Sequence, residues 1–125
     1  MIWRFASVLA LCVLVSFGIW NSRKAFAENG IASIYSLKYC GKPVAWKGIL
    51  DCKALTGAHK TLPFGTIVKV LNIKNGKMVI LVINDRGPFV SGRIVDLTPL
   101  AAQQLGCDGL CSVHLERLTP YGFVP

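Results

Sequence analysis

The stretch that decides the fold runs from residue 54 to residue 106, ALTGAHKTLPFGTIVKVLNIKNGKMVILVINDRGPFVSGRIVDLTPLAAQQLG. Residues 66–73 and 77–83 are apolar runs rich in β-branched side chains, the pattern of strands. Between them Asn75-Gly76 reads as a hairpin turn, because both residues tolerate positive φ. The second run ends in Asn84, Asp85 and Arg86, breaks at Gly87 and Pro88, and resumes as Ile94-Val95 before a second carboxylate, Asp96. Residues 99–105 read as one helix, with Thr98 as N-cap, Pro99 at the first helical position and Gly106 ending it. Outward from this block, residues 31–36 and 112–118 are further short strands. No linker, low-complexity stretch or second domain is expected. Gly65-Thr66-Ile67-Val68 and Gly92-Arg93-Ile94-Val95 share a Gly-x-Ile-Val pattern, each entering a strand. In a small closed barrel such an echo is expected of two halves paired about a pseudo-twofold axis.

The beginning of the chain has a different character. Residues 1–4 are short and basic, residues 5–20 are apolar and uncharged, and Ala25-Phe26-Ala27 puts small residues where a signal peptidase reads. The expectation is a secretory leader over residues 1–27, cut before Glu28, and one domain over residues 28–125. The competing reading is an uncleaved anchor, since Arg23 and Lys24 follow the apolar run. Leu9-Ala10-Leu11-Cys12 falls short of a lipidation box, because Leu11 stands where a small residue is needed. Loss of Arg4, Arg23 and Lys24 would lower the formal charge from +8 to +5. An exported, basic surface suits an anionic polymer such as a cell wall and not nucleic acid. Charge kept only for solubility accounts for the composition equally well. The expected location is periplasmic or extracellular, with no membrane contact once the leader is gone.

Cys12 would leave with the leader, and Cys40, Cys52, Cys107 and Cys111 remain. Four cysteines in a small exported domain read as two disulfides. Three pairings are possible; 40 with 52 and 107 with 111 would each close a short local loop. The spacing lacks a Cys-x-x-Cys pair and the compartment is oxidising, which argues against a zinc site. No metal and no cofactor is expected.

Residues 54–106, and above all AHKTLPFGT, NDRGPF and GRIVDL, resemble the rare lipoprotein A family, and Ile31-Ala32-Ser33-Ile34-Tyr35 resembles its opening strand. The resemblance implies an all-β fold, a six-stranded double-psi β-barrel with one short helix, related to expansins, barwin-like proteins and family 45 glucanases. It also implies lytic transglycosylation of bacterial peptidoglycan, with glycan strands as the partner.

The residues permit that chemistry. A glycosidic bond breaks when an acid protonates the leaving oxygen. In lytic transglycosylation the sugar's own 6-hydroxyl attacks and a 1,6-anhydro ring forms, so one carboxyl acting as acid and then as base suffices. Asp51, Asp85 and Asp96 are the serious carboxylates. Asp85 ranks first, at a strand end beside a Gly-Pro turn and in the family's NDRGPF position; the alternative is that it only folds the turn. Asp96 ranks second, matching the aspartate that expansins and family 45 glucanases carry before a comparable helix; the alternative is a helix-end residue favoured by the macrodipole. His59 falls where the family places its active-site histidine, and His114 reads as an ordinary strand residue. Tyr35, Trp46, Arg86 and Arg93 are the residues expected to meet substrate, the two arginines through lactyl or peptide carboxylates.

Two departures stand against these matches. Ile34 occupies the place of the family's tryptophan, and Gly48 the place of its glutamate, in a rebuilt run Val44-Ala45-Trp46-Lys47-Gly48. Trp46 either replaces the lost aromatic surface or lies buried beneath a disulfide. Three functions therefore stay open: a lytic transglycosylase, a non-catalytic glycan-binding or wall-loosening module, and a small disulfide-stapled protein that binds another protein. Nothing in the sequence fixes the oligomeric state.

Overall fold

The computed structural model describes residues 26–118. Of the leader expected over residues 1–27, all but Phe26 and Ala27 lies outside the described residues. The elements are β1 (Ala27–Ile34), a 3₁₀ turn (Leu37–Tyr39), β2 (Thr56–Ala58), β3 (Ile67–Asn72), β4 (Met78–Asp85), β5 (Arg93–Leu97), α1 (Pro99–Leu105) and β6 (Cys111–Arg117). Hydrogen bonds close the strands into a barrel in the order β1-β5-β2-β4-β3-β6. The pairs β1–β5 and β2–β4 are parallel, and the other four are antiparallel. Among the described residues no helix is long and apolar enough to cross a membrane.

Period-two alternation builds the core. In β3 every second residue is buried (Val68, Val70, Asn72), and in β4 the same holds for Val79, Leu81 and Ile83. Val95 and Leu97 of β5 and Val113 and Leu115 of β6 join them, and Ala101, Ala102 and Leu105 of α1 pack into the same cluster. Each large apolar side chain removed from water in this way contributes about 1.5–3 kcal/mol. The helix keeps its expected bounds for the expected reasons. Thr98 Oγ1 accepts from Ala101 N at 3.3 Å, and Gly106 ends the helix with φ 66°.

Three expectations change. The Asn75-Gly76 hairpin exists, but its connection runs over residues 73–77 and only Gly76 takes positive φ. Asn75 uses its side chain instead, donating from Nδ2 to Leu105 O at 3.2 Å and accepting from Lys77 N at 2.8 Å. β2 went unread because three residues containing a glycine show no alternation. The Gly-x-Ile-Val echo does not mark the symmetry. Exchanging β1 with β4, β5 with β2 and β6 with β3 maps the ring and both parallel pairs onto themselves. That operation relates β3 to β6 and β5 to β2, so the two echoing segments are not partners.

Gly57 sits at the tightest crossing. A Cβ built on it would lie 2.8 Å from the main-chain oxygen of Asp96 and 3.2 Å from Leu81 Cδ1. Neither the β5 backbone nor the packed core can yield. Gly57→Ala is expected to lower unfolding stability by about 1–3 kcal/mol, the usual cost of overpacking, read from denaturant midpoints. A midpoint unchanged from wild type would show that β5 moves freely.

The disulfides are Cys40–Cys52 and Cys107–Cys111, the two local pairings. The first pins the long excursion between β1 and β2, and the second ties the segment after α1 to the start of β6.

Candidate active site

Register explains how two aspartates from different strands meet. Ala58 of β2 pairs with Asp85 across the parallel β2–β4 ladder and with Asp96 across the antiparallel β2–β5 ladder. Both carboxyls therefore emerge at one end of the barrel, on strands flanking β2. On the other side of β5, parallel pairing with β1 sets Ser33 opposite Asp96. Tyr35 follows just beyond the end of β1, its N bonded to Leu97 O at 3.0 Å.

Asp85 accepts three hydrogen bonds. Tyr35 Oη donates to Oδ2 at 2.6 Å, and Ala45 N and Arg86 N donate to Oδ1, each at 2.9 Å. Asp96 accepts from Ser33 Oγ through Oδ1. Burial pushes the Asp96 carboxyl above its ordinary value; the Ser33 hydrogen bond and the Arg93 charge oppose the shift, and the negative charge of Asp85 adds to it. Burial, then the hydrogen bond to Asp85, raises the Tyr35 phenol further still, so Tyr35 stays a donor across the physiological range. The two carboxyls and Tyr35 face an open cleft of about 580 Å³, also lined by Tyr39, Pro43, Phe89 and Arg93. Its lip is apolar: Phe89 is 82% exposed.

The structure does not bring the His59 ring into this cleft. Nδ1 accepts from Thr61 N and Leu62 N at 3.1 and 3.0 Å, so the ring proton sits on Nε2, which donates to Glu28 Oε2 at 3.0 Å. The ring packs edge-on against Phe26 and faces a separate cavity of about 270 Å³. His59 meets the Asp85 turn through the backbone instead. Its side chain shapes the 59–62 turn, whose His59 O and Leu62 O accept from Arg86 Nη1 at 3.2 and 2.8 Å. His59 N also donates to Asp85 O at 3.1 Å. Arg86 in turn gives its main-chain N–H to Asp85 Oδ1, so the segments AHKTLP and NDRGPF form one hydrogen-bonded unit around Asp85.

Arg86 is thus occupied by the fold, with its guanidinium 3.8 Å from the Phe64 ring centroid. Trp46 is half-buried and stacks on Phe64 at 6.2 Å, so it neither replaces a sugar platform in the cleft nor lies wholly covered. Arg93 lines the cleft, whereas Asp51 is exposed and caps its own turn by accepting from Lys53 N. His114 lies across the β1–β6 ladder from Asn29 and bonds to its side chain. Gly48 holds φ 91°, a conformation that strains any L side chain, so the place where the family carries glutamate is shaped here for glycine. Among the described residues no group of His, Cys, Asp and Glu is placed to hold a metal ion.

Sequence reasoning missed Ser33, Phe64 and the Ala45 N–H. Only register and the path of the 35–54 excursion place them, and no residue type announces either. Because Arg86 joins two carbonyls and a ring, Arg86→Lys is not conservative: a point charge cannot span the three contacts. The variant is expected to lose about 1.5–3 kcal/mol of stability, the range for hydrogen bonds to a charged group, measured by thermal melts. A wild-type melting temperature would contradict this account of the turn.

A family model described as lytic transglycolase matches residues 27–115. The chain belongs to that family. Relatives of this chain include endolytic peptidoglycan transglycosylase RlpA of Vibrio cholerae, 42% identical over 106 residues, and of Pasteurella multocida, 45% identical over 104 residues. These alignments cover 83% and 82% of this chain but 40% and 35% of the relatives, so the chain spans well under half their length. Among solved structures, an expansin of Clavibacter michiganensis superposes with a TM-score of 0.58 at 19% identity, covering 75% of this chain and 51% of that one. The Streptomyces papain inhibitor superposes with a TM-score of 0.55 at 19% identity, covering 75% of this chain and 96% of that one. The barrel is the double-psi barrel of these expansin-like folds.

Proposed function

We propose that this domain is exported and cleaves the glycan of peptidoglycan by lytic transglycosylation, with Asp96 as acid and base. The observation that carries the reading is the pair of unequal carboxyls in one cleft: Asp96 desolvated and raised, Asp85 held by three donors. Environments that separate two carboxyls divide the roles of acid and anion between them. Protonated Asp96 gives its proton to the glycosidic oxygen as the C1–O bond breaks. Asp85, fixed by Tyr35, Ala45 and Arg86, faces the positive charge that develops at C1. The 6-hydroxyl of the same sugar then bonds to C1 while its proton returns to Asp96, which restores the acid and leaves a 1,6-anhydro end. No water is consumed. The peptidoglycan transglycosylases among the relatives support the substrate.

His59 is a positioning residue in this scheme, and the export expected of the sequence agrees with a wall substrate outside the cytoplasm. The test is incubation of the purified chain with peptidoglycan. Release of 1,6-anhydro muropeptides is the expected result. Pelleting with sacculi without any release would make the domain a glycan-binding module and return both aspartates to architecture.

A further inference from the structure

The excursion between β1 and β2 carries four lysines that the chemistry above leaves unused, Lys38, Lys42, Lys47 and Lys53, and the first three sit over aromatic rings. Lys38, Lys42 and Lys47 are exposed, and none has a carboxylate within ion-pair distance among the described residues. Lys38 Nζ and Lys42 Nζ lie 5.1 and 5.6 Å from the Tyr39 ring centroid, and Lys47 Nζ lies 5.0 Å from that of Trp46. Tyr39 and Pro43 line the cleft that holds Asp85 and Asp96, and Lys38 and Lys42 are their neighbours in the chain, while Lys47 lies farther along the same loop.

This excursion is built rather than loose. Cys40–Cys52 closes it, Pro43 and Ile49 bridge antiparallel, and Gly41 N and Leu50 N bond to Leu50 O and Lys42 O at 2.8 and 2.7 Å. Ala45 N ties its tip to Asp85. Lys47 is the one non-glycine residue with positive φ among the described residues, at 47°. Such backbone strain concentrates where position matters to function. Of the two arginines expected to read carboxylates, Arg86 is taken up by carbonyl oxygens and Arg93 lines the cleft itself, and these ammonium groups extend the positive charge outward along the loop.

We propose that this disulfide-pinned loop is a carboxylate-reading subsite, in which Lys38, Lys42 and Lys47 bind acidic groups borne on the glycan beside the cleft. The polymer's identity rests on the function proposed above; the loop's preference for carboxylates does not. The acidic groups come from one of two sources, the lactyl carboxylates of muramic acid or the carboxylates of stem peptides. Tyr39 links the two features, since it lines the cleft and holds Lys38 and Lys42 over its ring.

The test measures binding in an Asp96→Asn background, where turnover cannot intervene. The probes are stem-bearing glycan strands, strands stripped of stems by an amidase, and stripped strands whose carboxylates are converted to amides. Lys38→Gln, Lys42→Gln and Lys47→Gln together are expected to weaken binding to a carboxylated strand about 10-fold at low salt, three exposed ion pairs' worth. Affinity for the amidated strand stays within about 2-fold of the unsubstituted background, and replacing the same three lysines by arginine keeps the affinity for carboxylated strands. A loss confined to stripped strands assigns lactyl carboxylates, and one confined to stem-bearing strands assigns stem peptides. Equal loss on amidated and carboxylated strands, or no loss on any, overturns the subsite. A chain with wild-type Asp96 that never releases anhydro products yet shows the carboxylate pattern would sink the enzymatic reading alone.

Discussion

Asp96→Asn protein is expected to fold, to melt at or above the wild-type temperature at neutral pH, and to release anhydro muropeptides about 10²- to 10⁴-fold more slowly. The two halves of that result have one cause. Asparagine keeps an oxygen for the Ser33 hydroxyl, so the local bond survives. What disappears is a titrating proton and a half-buried negative charge. Because burial raises the Asp96 carboxyl, the folded chain binds a proton more tightly than the unfolded chain does. Stability contributed by that group is present while Asp96 is protonated and falls as pH climbs from the unfolded value through the raised folded one. The variant carries no such loss, so its advantage in melting temperature grows with pH across this window and vanishes in acid. The same proton starts the reaction, so wild-type cleavage falls as pH rises through the raised Asp96 value, while residual activity in the variant loses that limb. A variant less stable than wild type at neutral pH, with activity within a few-fold, would make Asp96 an architectural residue.

The parts of this molecule legible in its sequence are those where local chemistry and global fold ask for the same residue. Thr98-Pro99 opening α1 and Gly106 closing it satisfy the helix's own end groups, so the bounds follow from the residues alone. The alternation in β3 and β4 is legible for the same reason. β2 is not, because Thr56, Gly57 and Ala58 answer to their neighbours: Gly57 to the β5 backbone pressing on it, Ala58 to the convergence of two carboxyl-bearing strands. Asp85 and Asp96 stand out in the sequence as strand-end acids, and the roles proposed above reverse their order. Asp85 is the conspicuous one, beside a Gly-Pro turn, and the structure surrounds it with three donors. Asp96 reads as a helix-entrance residue, and its burial is what recommends it as the acid. Burial and register are long-range properties, which residue types do not carry. His59 shows the limit from the other side. Its motif lies against the Asp85 turn, but its ring serves the 59–62 turn and its influence passes through Arg86.

Asp85→Asn is the second large effect, and it separates charge from shape. The asparagine would still accept from Ala45 N and Arg86 N through its oxygen, and its amide would face Tyr35 Oη, which can turn to accept. The turn should therefore hold, and a thermal melt close to wild type is expected. The negative charge is lost, and with it the group that opposes positive charge at C1, so release should fall about 10²- to 10³-fold, the scale for removing one preorganised electrostatic partner. Loss of the charge also removes one of the influences that raise Asp96, so the alkaline limb of the remaining activity should persist but move to lower pH. That displacement is the decisive readout, because an aspartate that merely folds the turn would leave both rate and limb where they were. If the limb instead vanishes in Asp85→Asn and survives in Asp96→Asn, the proton belongs to Asp85, and Asp96 becomes the anion beside it.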